Sequence, residues 1–474
     1  MFLAFAQLLP HCWPLKPMLY PCGLSSFTAA FDNSNQQPLQ RQRILFNRLL
    51  RYLSLATIIF GMGCTQVPSS SVVSPPPVSD SPETPTVDVL PPDTAVPADS
   101  VAIGGQHDTK LTESWNAYRQ RFIQTDGRVI DWESNSRTVS EGQAYAMLRA
   151  VLIGDAETFD LTLQWAEVNL KRSPQLNDAD GQDYLWAWKW GERPDGTWGI
   201  QDANFASDAD IDAITALILA ARRWNRSDYL DLANKKLADL WAQSTLALPA
   251  INPGETNHYL LPGPLPAFQP QPGQVYLNPS YLAPYAFRLF AEVDRNPSHD
   301  WMALVDSSYE ILEQTQSLSQ QGLPADWVVF ELVTKTIQVV PSGAPLNSNY
   351  SFDAYRVWWR IAWDAAWFGE PRAQQFLDQH LDYIRDLWKA TEQIPAIISM
   401  SGQVLADYEA TAQYAMLYPA FQQLDSEVAD AIYNRKLLTS YQEGIWDNPD
   451  AYYVQNLAWL GLFPIEAIRS ISML

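Results

Sequence analysis

The chain has 474 residues and a formal net charge of −22, from 31 basic and 53 acidic side chains. This length is sufficient for one large domain or for two to three ordinary domains. Because an acidic surface repels the phosphate backbone of nucleic acids, the charge excludes nucleic acid as a partner and indicates a neutral or cationic ligand.

Residues 1–63 have the composition of a leader that carries an export signal. Four arginines between positions 41 and 51 precede an apolar segment, 52–60, which is too short to span a bilayer comfortably. The sequence GMGC (61–64) that follows is similar to the lipobox of bacterial lipoproteins, although Leu is usual at position 61. We therefore predict an exported protein that is anchored to a membrane by lipid on Cys64 and faces the periplasm or the cell surface. Secretion without lipid and an uncleaved anchor are the alternatives.

With lipid on Cys64 as the anchor, a Cys64→Ser variant is expected to move from the membrane fraction to the soluble fraction, because its hydroxyl cannot carry the thioether-linked lipid. Fractionation of cells that produce the full chain, followed by immunoblotting, measures this. A variant that stays with the membrane excludes lipid on this residue as the anchor.

Residues 64–104 form a tether rich in Pro and Ser, which cannot bury enough apolar surface to fold and is predicted to be extended. The remainder, 105–474, is predicted to be one folded domain. All three cysteines, Cys12, Cys22 and Cys64, precede this domain, so the domain has no disulfide, no cysteine-ligated metal and no cysteine nucleophile. The five histidines show no metal-binding spacing, and we predict neither a metal site nor a cofactor.

From about residue 105 onwards, apolar residues recur at three- and four-residue spacing, which predicts helices. Ser140, Ser207 and the Asp425-Ser426 pair are candidate N-caps. Twelve helices are predicted, at 110–123, 140–154, 156–172, 208–223, 227–243, 280–293, 299–317, 353–367, 370–388, 406–421, 425–440 and 450–462.

The connections between these helices indicate the architecture. Those at 173–207, 245–279 and 318–352 are far longer than the roughly two to eight residues usual in a simple bundle, and such long loops are usually functional. Long and short connections alternate, as they do when helical hairpins close into a ring. We therefore predict an all-α fold, an (α/α)₆ barrel of six hairpins with an open cleft. An open α-solenoid is the alternative, although no fixed repeat of 34 or 40 residues supports it.

Three acids stand at the starts of predicted helices: Glu141, Asp208 and Asp353. Hydrolysis of a glycosidic bond with inversion needs one carboxylic acid to protonate the departing oxygen and one carboxylate, roughly 6.5–9.5 Å away, to activate water. Tryptophan and tyrosine near these acids are suited to stacking on sugar rings, although most of the 19 Trp and 21 Tyr are expected in the core. Because capping and the helix dipole also favour acids at helix starts, spacing alone leaves the structural and catalytic interpretations open.

Glu141 raises a further requirement. A helix N-terminus stabilises the charged form of a carboxyl group, whereas a general acid must hold its proton near neutral pH. Burial among aromatic rings, or repulsion from a second carboxylate, would have to outweigh the dipole. The aromatic candidates are Tyr145, Trp186, Trp188 and Trp190.

Seven motifs, in this order, resemble those of glycoside hydrolase family 8, over a region from about residue 115 to about residue 453. This family contains bacterial endoglucanases, chitosanases, licheninases and certain xylanases. The motifs are DGRVID (126–131), TVSEGQAY (138–145), AWKWG (187–191), DANFASDAD (202–210), LNPSY (277–281), FDAYR (352–356) and WRIAWD (359–364).

The resemblance implies an (α/α)₆ barrel and hydrolysis with inversion. By motif position Glu141 is the expected general acid, Asp353 the general base, and Asp208 a catalytic residue that binds and distorts the sugar. Phe352 departs from the family, which usually has Tyr before the base.

Four further residues are expected to bind substrate. Trp188 matches a position that stacks on sugar, and Trp190 and Tyr281 are also candidates, with a core position as the alternative for both. Arg356 lies one helical turn after Asp353 and could hold that carboxylate ionised, or it could form an ordinary surface ion pair.

The sequence thus predicts a hydrolase that cleaves internal β-1,4 linkages of a cellulose-like glucan, with a cellulose export machinery as an expected partner and membrane contact only through leader or lipid. A chitosanase or another β-glycanase of the same family is the alternative, since an acidic enzyme suits a cationic polymer. A non-catalytic polysaccharide-binding lipoprotein and a helical scaffold without sugar chemistry are alternatives from other classes, which the three acids and the ordered motifs oppose.

Overall fold

The structure is a computed structural model, and it describes residues 107–172, 183–249 and 256–473. The predicted leader, the tether 64–104 and Cys64 lie outside the described residues, so export and lipidation stay predictions. No helix in the described ranges combines the length and the apolar character that crossing a bilayer requires.

Helices make up most of the described chain. They are α1 (Asp108–Phe122), α2 (Ser140–Ile153), α3 (Ala156–Asn169), α4 (Ser207–Arg223), α5 (Ser227–Ser244), α6 (Leu265–Phe268), α7 (Pro284–Val293), α8 (Trp301–Leu318), α9 (Tyr355–Phe368), α10 (Pro371–His380), α11 (Asp382–Thr391), α12 (Thr411–Leu424), α13 (Ser426–Ile432), α14 (Tyr452–Leu462) and α15 (Ile465–Ser472), with a 3₁₀ turn at Pro279–Tyr281 and a π-helical turn at Tyr433–Leu437.

Six of these helices contact one another in a closed cycle. In chain order α2, α4, α7, α9, α12 and α14 each contact the next, and α14 contacts α2 again. Each also packs against a second helix, namely α3, α5, α8, α10, α13 and α1 in the same order. Thirteen of the 14 residues of α2 and 14 of the 17 of α4 are buried, against six of the 18 of α5. The cycle is therefore the inner layer, because only a helix enclosed on all sides buries its whole circumference.

Most predicted helices are confirmed, with corrections at their ends. The segment 370–388 is two helices, α10 and α11, which meet at Leu381. The helix predicted from 280 begins at Pro284, because a separate 3₁₀ turn occupies 279–281 and proline suits the first turn of a helix. The helix predicted at 406–421 begins only at Thr411, and α15 was not predicted.

Two of the three predicted N-caps are wrong. Ser140 and Ser207 are the first residues of α2 and α4, and neither helix has a side-chain cap. The hydroxyl of Ser207 donates instead to the carbonyl of Leu261 at 2.8 Å. Asp425 is confirmed as a cap, since its carboxylate accepts the backbone N–H of Val428 at 3.2 Å.

The all-α prediction missed short antiparallel strands. The first sheet has the order β1–β2–β3, the second pairs β4 with β5, the third has the order β6–β7–β8 and the fourth pairs β9 with β10. Most of these strands lie in the three long connections, whose described parts therefore contain regular structure. The strands are β1 (Thr138–Val139), β2 (Lys189–Glu192), β3 (Trp198–Asp202), β4 (Thr245–Pro249), β5 (Thr256–Leu260), β6 (Gln274–Leu277), β7 (Val328–Glu331), β8 (Thr336–Val339), β9 (Tyr441–Gln442) and β10 (Ile445–Trp446).

Candidate active site

Glu141 is placed by the junction of β1 and α2. Val139 is extended and pairs with Lys189 of β2, and the helix starts at the next residue. The backbone N–H of Ser140 donates to the carbonyl of Trp188 at 3.0 Å. This bond satisfies an N–H that the first turn of a helix leaves free, and it joins the segment of Trp188 to the start of α2. Glu141 is the second residue of the helix.

Asp208 holds the same position in α4. The preceding chain is tied down by the hydroxyl of Ser207 and by its backbone N–H, which donates to the carbonyl of Pro262 at 3.0 Å. The Asp208 carboxylate accepts the backbone N–H of Ala209 at 2.9 Å. Its side chain is only 3% exposed.

Asp353 lies in the turn just before α9, and a second acid holds that turn. The carboxylate of Asp326 accepts the backbone N–H groups of Ala354 at 2.9 Å and of Ser351 at 3.2 Å, together with the Ser351 hydroxyl. The indole Nε1 of Trp327 donates to Asp353 Oδ2 at 3.0 Å. Burial, reinforced by the charge of Asp353, raises the pKa of Asp326 to about 7.

The guanidinium of Arg356 joins the three predicted acids. Its Nη1 donates to Glu141 Oε2 and to Asp208 Oδ2, each at 2.8 Å, and its Nη2 donates to Asp353 Oδ1 at 2.8 Å. The Arg356 side chain is 1% exposed, whereas those of Glu141 and Asp353 are 18% and 35% exposed. Arg356 therefore forms a buried hub rather than a surface ion pair, and solvent reaches the two carboxyl groups predicted to do the chemistry.

The pKa of Glu141 is raised from its usual value to about 7. Burial is the largest cause, because a charged carboxylate loses hydration there. Repulsion from Asp208 and Asp353 adds to the shift, while Arg356 and a hydrogen bond from the Tyr452 hydroxyl, 3.0 Å from Oε1, oppose it. Three carboxylates face one guanidinium, so a proton on Glu141 relieves the excess negative charge. This environment outweighs the helix dipole, as a general acid in this position requires.

A second ion pair lies one turn deeper. Arg360 Nη2 donates to Asp212 Oδ2 at 2.7 Å, and both side chains are at most 1% exposed. Asp212 follows Asp208 by four residues in α4, and Arg360 follows Arg356 by four residues in α9. The two helices therefore run parallel and are joined by two ion pairs. The Tyr285 hydroxyl also accepts from Arg360.

The predicted substrate-binding residues lie in different surroundings. Trp188 is half-buried beside the start of α2, and the Tyr281 ring lies 5.4 Å from the Arg356 guanidinium. Trp190 is also half-buried, but its ring packs against Trp165 and Trp198. The structure therefore places Tyr281 beside the guanidinium that binds the three acids. The Trp190 ring packs instead against two other tryptophans. Contact of any of them with a sugar stays a prediction.

Sequence reasoning missed four residues of this site. Tyr452 bonds Glu141, Trp327 bonds Asp353, Asp326 holds the turn before α9, and the Tyr453 hydroxyl donates to the carbonyl of Phe352 at 2.7 Å. Both tyrosines stand at the start of a predicted helix, 450–462, which is the signal that identified the three acids. The Asp326-Trp327 pair lies in a predicted long loop and carried no periodic signal.

No group of three or more His, Cys, Asp or Glu side chains suited to holding a metal ion occurs among residues 107–172, 183–249 and 256–473. The carboxylates of the site are engaged instead by Arg356, Tyr452 and Trp327.

Known proteins resemble this chain over most of its length. The profile of the family described as "Glycosyl hydrolases family 8" matches residues 93–464. An endoglucanase of Xanthomonas axonopodis pv. citri is 35% identical over 285 residues, which are 60% of this chain and 67% of that protein. An endoglucanase of Pseudomonas fluorescens is 32% identical over 264 residues, 56% of this chain and 62% of that protein.

A solved structure, of an endo-1,4-D-glucanase from Vibrio fischeri, is also similar. It superposes with a TM-score of 0.59 at 26% identity, and the match covers 74% of this chain and 93% of that one. The profile match and the acids gathered around Arg356 make the protein a glycosidase. The chain belongs to glycosyl hydrolase family 8, which confirms the resemblance inferred from the seven motifs.

Proposed function

We propose that the protein is an endo-β-1,4-glucanase that acts with inversion of configuration. One observation carries the proposal: the carboxyl groups of Glu141 and Asp353 meet at the two Nη atoms of a single guanidinium, each at 2.8 Å. The two groups are thus at most two hydrogen bonds and the width of one guanidinium apart. A separation up to this limit is compatible with the water molecule that inversion needs between the two groups. The endoglucanase relatives support a glucan as the substrate, and the similar endo-1,4-D-glucanase from Vibrio fischeri supports 1,4 linkages.

The proposed reaction assigns one proton movement to each exposed acid. Asp353 takes a proton from water while the water oxygen bonds the anomeric carbon, and Glu141 gives its proton to the departing glycosidic oxygen on the opposite face. The bond from the anomeric carbon to that oxygen breaks. Because Asp353 gains one proton and Glu141 loses one, the net charge of the enzyme is unchanged, and proton exchange with solvent restores both groups. The Trp327 and Arg356 donors orient the Asp353 carboxylate for the first transfer.

Asp208 contributes mainly through its charge in this proposal. Its side chain is 3% exposed, which leaves little surface for the sugar contact predicted by motif position. Its repulsion helps to keep a proton on Glu141, and its hydrogen bond to Arg356 Nη1 holds the hub in place.

We also propose that the cycle of six inner helices, each with its packed partner, is an (α/α)₆ barrel. The contacts that close α14 onto α2 support this arrangement over an open solenoid. The starts of α2, α4, α9 and α14 carry or approach Glu141, Asp208, Asp353 and Tyr452, so an open cleft at that end would present the acids to a polymer.

Activity of the purified full chain on a panel of polysaccharides tests the proposed function. Release of reducing ends from hydroxyethylcellulose and carboxymethylcellulose, with the inverted anomer seen first by NMR on a cello-oligosaccharide, is the expected result. Hydrolysis of chitosan alone would replace the glucanase by the chitosanase alternative. Binding without cleavage of any polymer would favour the non-catalytic alternative.

The pH dependence of activity is expected to follow Glu141. Because a general acid must be protonated, kcat/KM should fall as the pH rises through about 7. Asp208→Asn removes a charge that raises the pKa of Glu141, so the alkaline limb should move to lower pH. Tyr452→Phe removes a donor to the ionised form, so the limb should move to higher pH. The measurement is kcat/KM on hydroxyethylcellulose between pH 5 and 9.

Asp326 provides the control, because its pKa is also raised to about 7. If the alkaline fall in kcat/KM moves in Asp326→Asn but not in Asp208→Asn or Tyr452→Phe, the titrating group is Asp326. Shifts of Asp208→Asn and Tyr452→Phe in the same direction would contradict the assignment to Glu141.

A further inference from the structure

A surface cavity of about 960 Å³ lies beside the β1–β2–β3 sheet and has the opposite charge to the protein as a whole. Arg137, Lys189 and Arg193 line it, together with one carboxylate, that of Glu192, and neutral residues such as Gln201. We refer to this cavity as the basic pocket. On a chain with a net charge of −22, three cations around one opening create a local positive potential that attracts anions.

Two of the three cations are not committed to an internal ion pair. Among the described residues, Lys189 and Arg193 form no salt bridge, and Arg193 uses only its Nε, which donates to the carbonyl of Ile200 at 3.1 Å. Arg137 differs, because its Nε donates to Asp131 at 2.9 Å. Lys189 Nζ and the Arg193 guanidinium are therefore available to a ligand.

Two cations of the basic pocket lie near Trp188, whose backbone is hydrogen-bonded to the start of α2. The Trp188 ring lies 5.6 Å from Lys189 Nζ and 5.9 Å from the Arg137 guanidinium carbon. The Trp188 carbonyl in turn bonds the N–H of Ser140, the residue before Glu141. Trp188, the predicted sugar-stacking residue, thus lies next to Lys189 and Arg137 of the pocket and is hydrogen-bonded to the residue before the proposed general acid.

We propose that the basic pocket binds an anionic substituent, a carboxylate or a phosphate, on the β-glucan that the enzyme cleaves. The proposal rests on the proposed function and specifies its substrate class. A sugar stacked on Trp188 would bring groups attached to its neighbour within reach of Lys189 and Arg193. Charge-assisted hydrogen bonds from an ammonium and a guanidinium are suited to such groups. A cationic polymer such as chitosan would meet repulsion at the same place.

The test compares anionic and neutral glucans in a charge-matched pair of variants. Lys189→Gln/Arg193→Gln removes the two free cations, and Lys389→Gln/Arg435→Gln removes two exposed cations from α11 and the π-helical turn. The pocket variant should raise the ratio of KM on carboxymethylcellulose to KM on hydroxyethylcellulose about fivefold, since each exposed pair contributes modestly. The control variant should leave this ratio within about twofold, as expected for exposed charges outside the pocket. High salt should abolish the difference.

Phosphorylated cellulose distinguishes the two anionic groups. A larger change in the KM ratio on this polymer than on carboxymethylcellulose would identify phosphate as the preferred substituent, and the reverse would identify carboxylate. The proposal would be overturned if the pocket variant had the same KM ratio as the wild type on both carboxymethylcellulose and phosphorylated cellulose. It would also be overturned if the control variant changed this ratio as much as the pocket variant does.

Binding keeps this test separate from the proposed function. Calorimetry with the Glu141→Gln protein measures the affinity for a carboxymethylated cello-oligosaccharide and for neutral cellohexaose, with and without the two pocket substitutions. Selective loss of affinity for the charged ligand supports the basic pocket even in a protein that cleaves neither polymer. Equal affinities with and without the pocket substitutions refute it even in an active glucanase.

Discussion

Glu141→Gln and Asp353→Asn are each expected to lower kcat on hydroxyethylcellulose by about 10³-fold, within the range typical of a lost general acid or base. Both substitutions keep the shape of the side chain but remove the proton transfer assigned to it. The amide introduced at position 141 cannot protonate the departing oxygen, and the amide introduced at position 353 cannot accept a proton from water. Steady-state kinetics on the neutral polymer provide the measurement.

Glu157→Gln is the matched control, because Glu157 is the exposed second residue of α3, the position that Glu141 holds in α2. Its substitution should leave kcat within about twofold and the unfolding temperature unchanged, since exposed substitutions usually have small effects. An equal loss of kcat in all three variants would show that substitution of an acid at any helix start lowers activity, and would remove the evidence for a specific role of the site. Unchanged turnover in either site variant would remove the role assigned to that residue.

A substrate with an activated leaving group separates the two roles. Dinitrophenolate departs without protonation, so a dinitrophenyl cello-oligosaccharide should restore much of the activity of Glu141→Gln. It should not restore Asp353→Asn, because water still needs a base. If activity returned only in Asp353→Asn, the roles of acid and base would be exchanged. If activity returned in both variants, neither role could be assigned.

Arg356→Met is expected to lower the free energy of unfolding by about 3–5 kcal/mol, the range found when one partner of a buried ion pair is removed. Three carboxylates would then share the site without a counter-charge. Because Arg356 lowers the pKa of Glu141, that pKa should rise further without it, so the loss of stability should grow as the pH increases from 5 to 8 and Glu141 ionises beside the other two carboxylates. Urea unfolding at the two pH values measures the effect, and kcat should fall as well because Asp353 loses a donor that orients it.

Arg295→Met is the control for this result. Arg295 pairs with Asp231 at 2.8 Å, but the two side chains are 66% and 54% exposed. Its removal should therefore cost less than about 1 kcal/mol, with little dependence on pH. If Arg356→Met were as mild as Arg295→Met, the buried hub would be energetically unimportant and the electrostatic account of Glu141 would be wrong.

The acids could be predicted from sequence because their signal is local. Glu141, Asp208 and Asp353 stand at or just before helix starts, and the four-residue spacing of apolar side chains locates those starts well. Arg356 follows Asp353 by three residues, so its contact with that acid was visible too. Its simultaneous contacts with Glu141 and Asp208, 215 and 148 residues away, depend on how the helices are arranged in space.

The rest of the site could not be read from the chain for physical reasons. Tyr452 reaches Glu141 across 311 residues, and no pattern within either segment encodes that contact. The missed strands have two to five residues, too few to show an alternating pattern. Their pairing is decided by partners elsewhere, as between Val139 and Lys189, and this pairing helps to place Lys189 at the basic pocket.

The deeper pair of Asp212 and Arg360 has a consequence for the precision of the site. Both α4 and α9 repeat their charged residue after four positions, so a slip of α9 by one turn would still match Arg360 with Asp208. That shift would, however, leave Asp212 without a partner in an apolar interior, a cost of several kcal/mol, and would move Arg356 one turn past Asp208 towards the cleft end. The axial register of the two helices is therefore enforced by residues more than a turn below the surface. The alignment of Asp353 at the start of α9 therefore depends on an ion pair that is shut off from solvent.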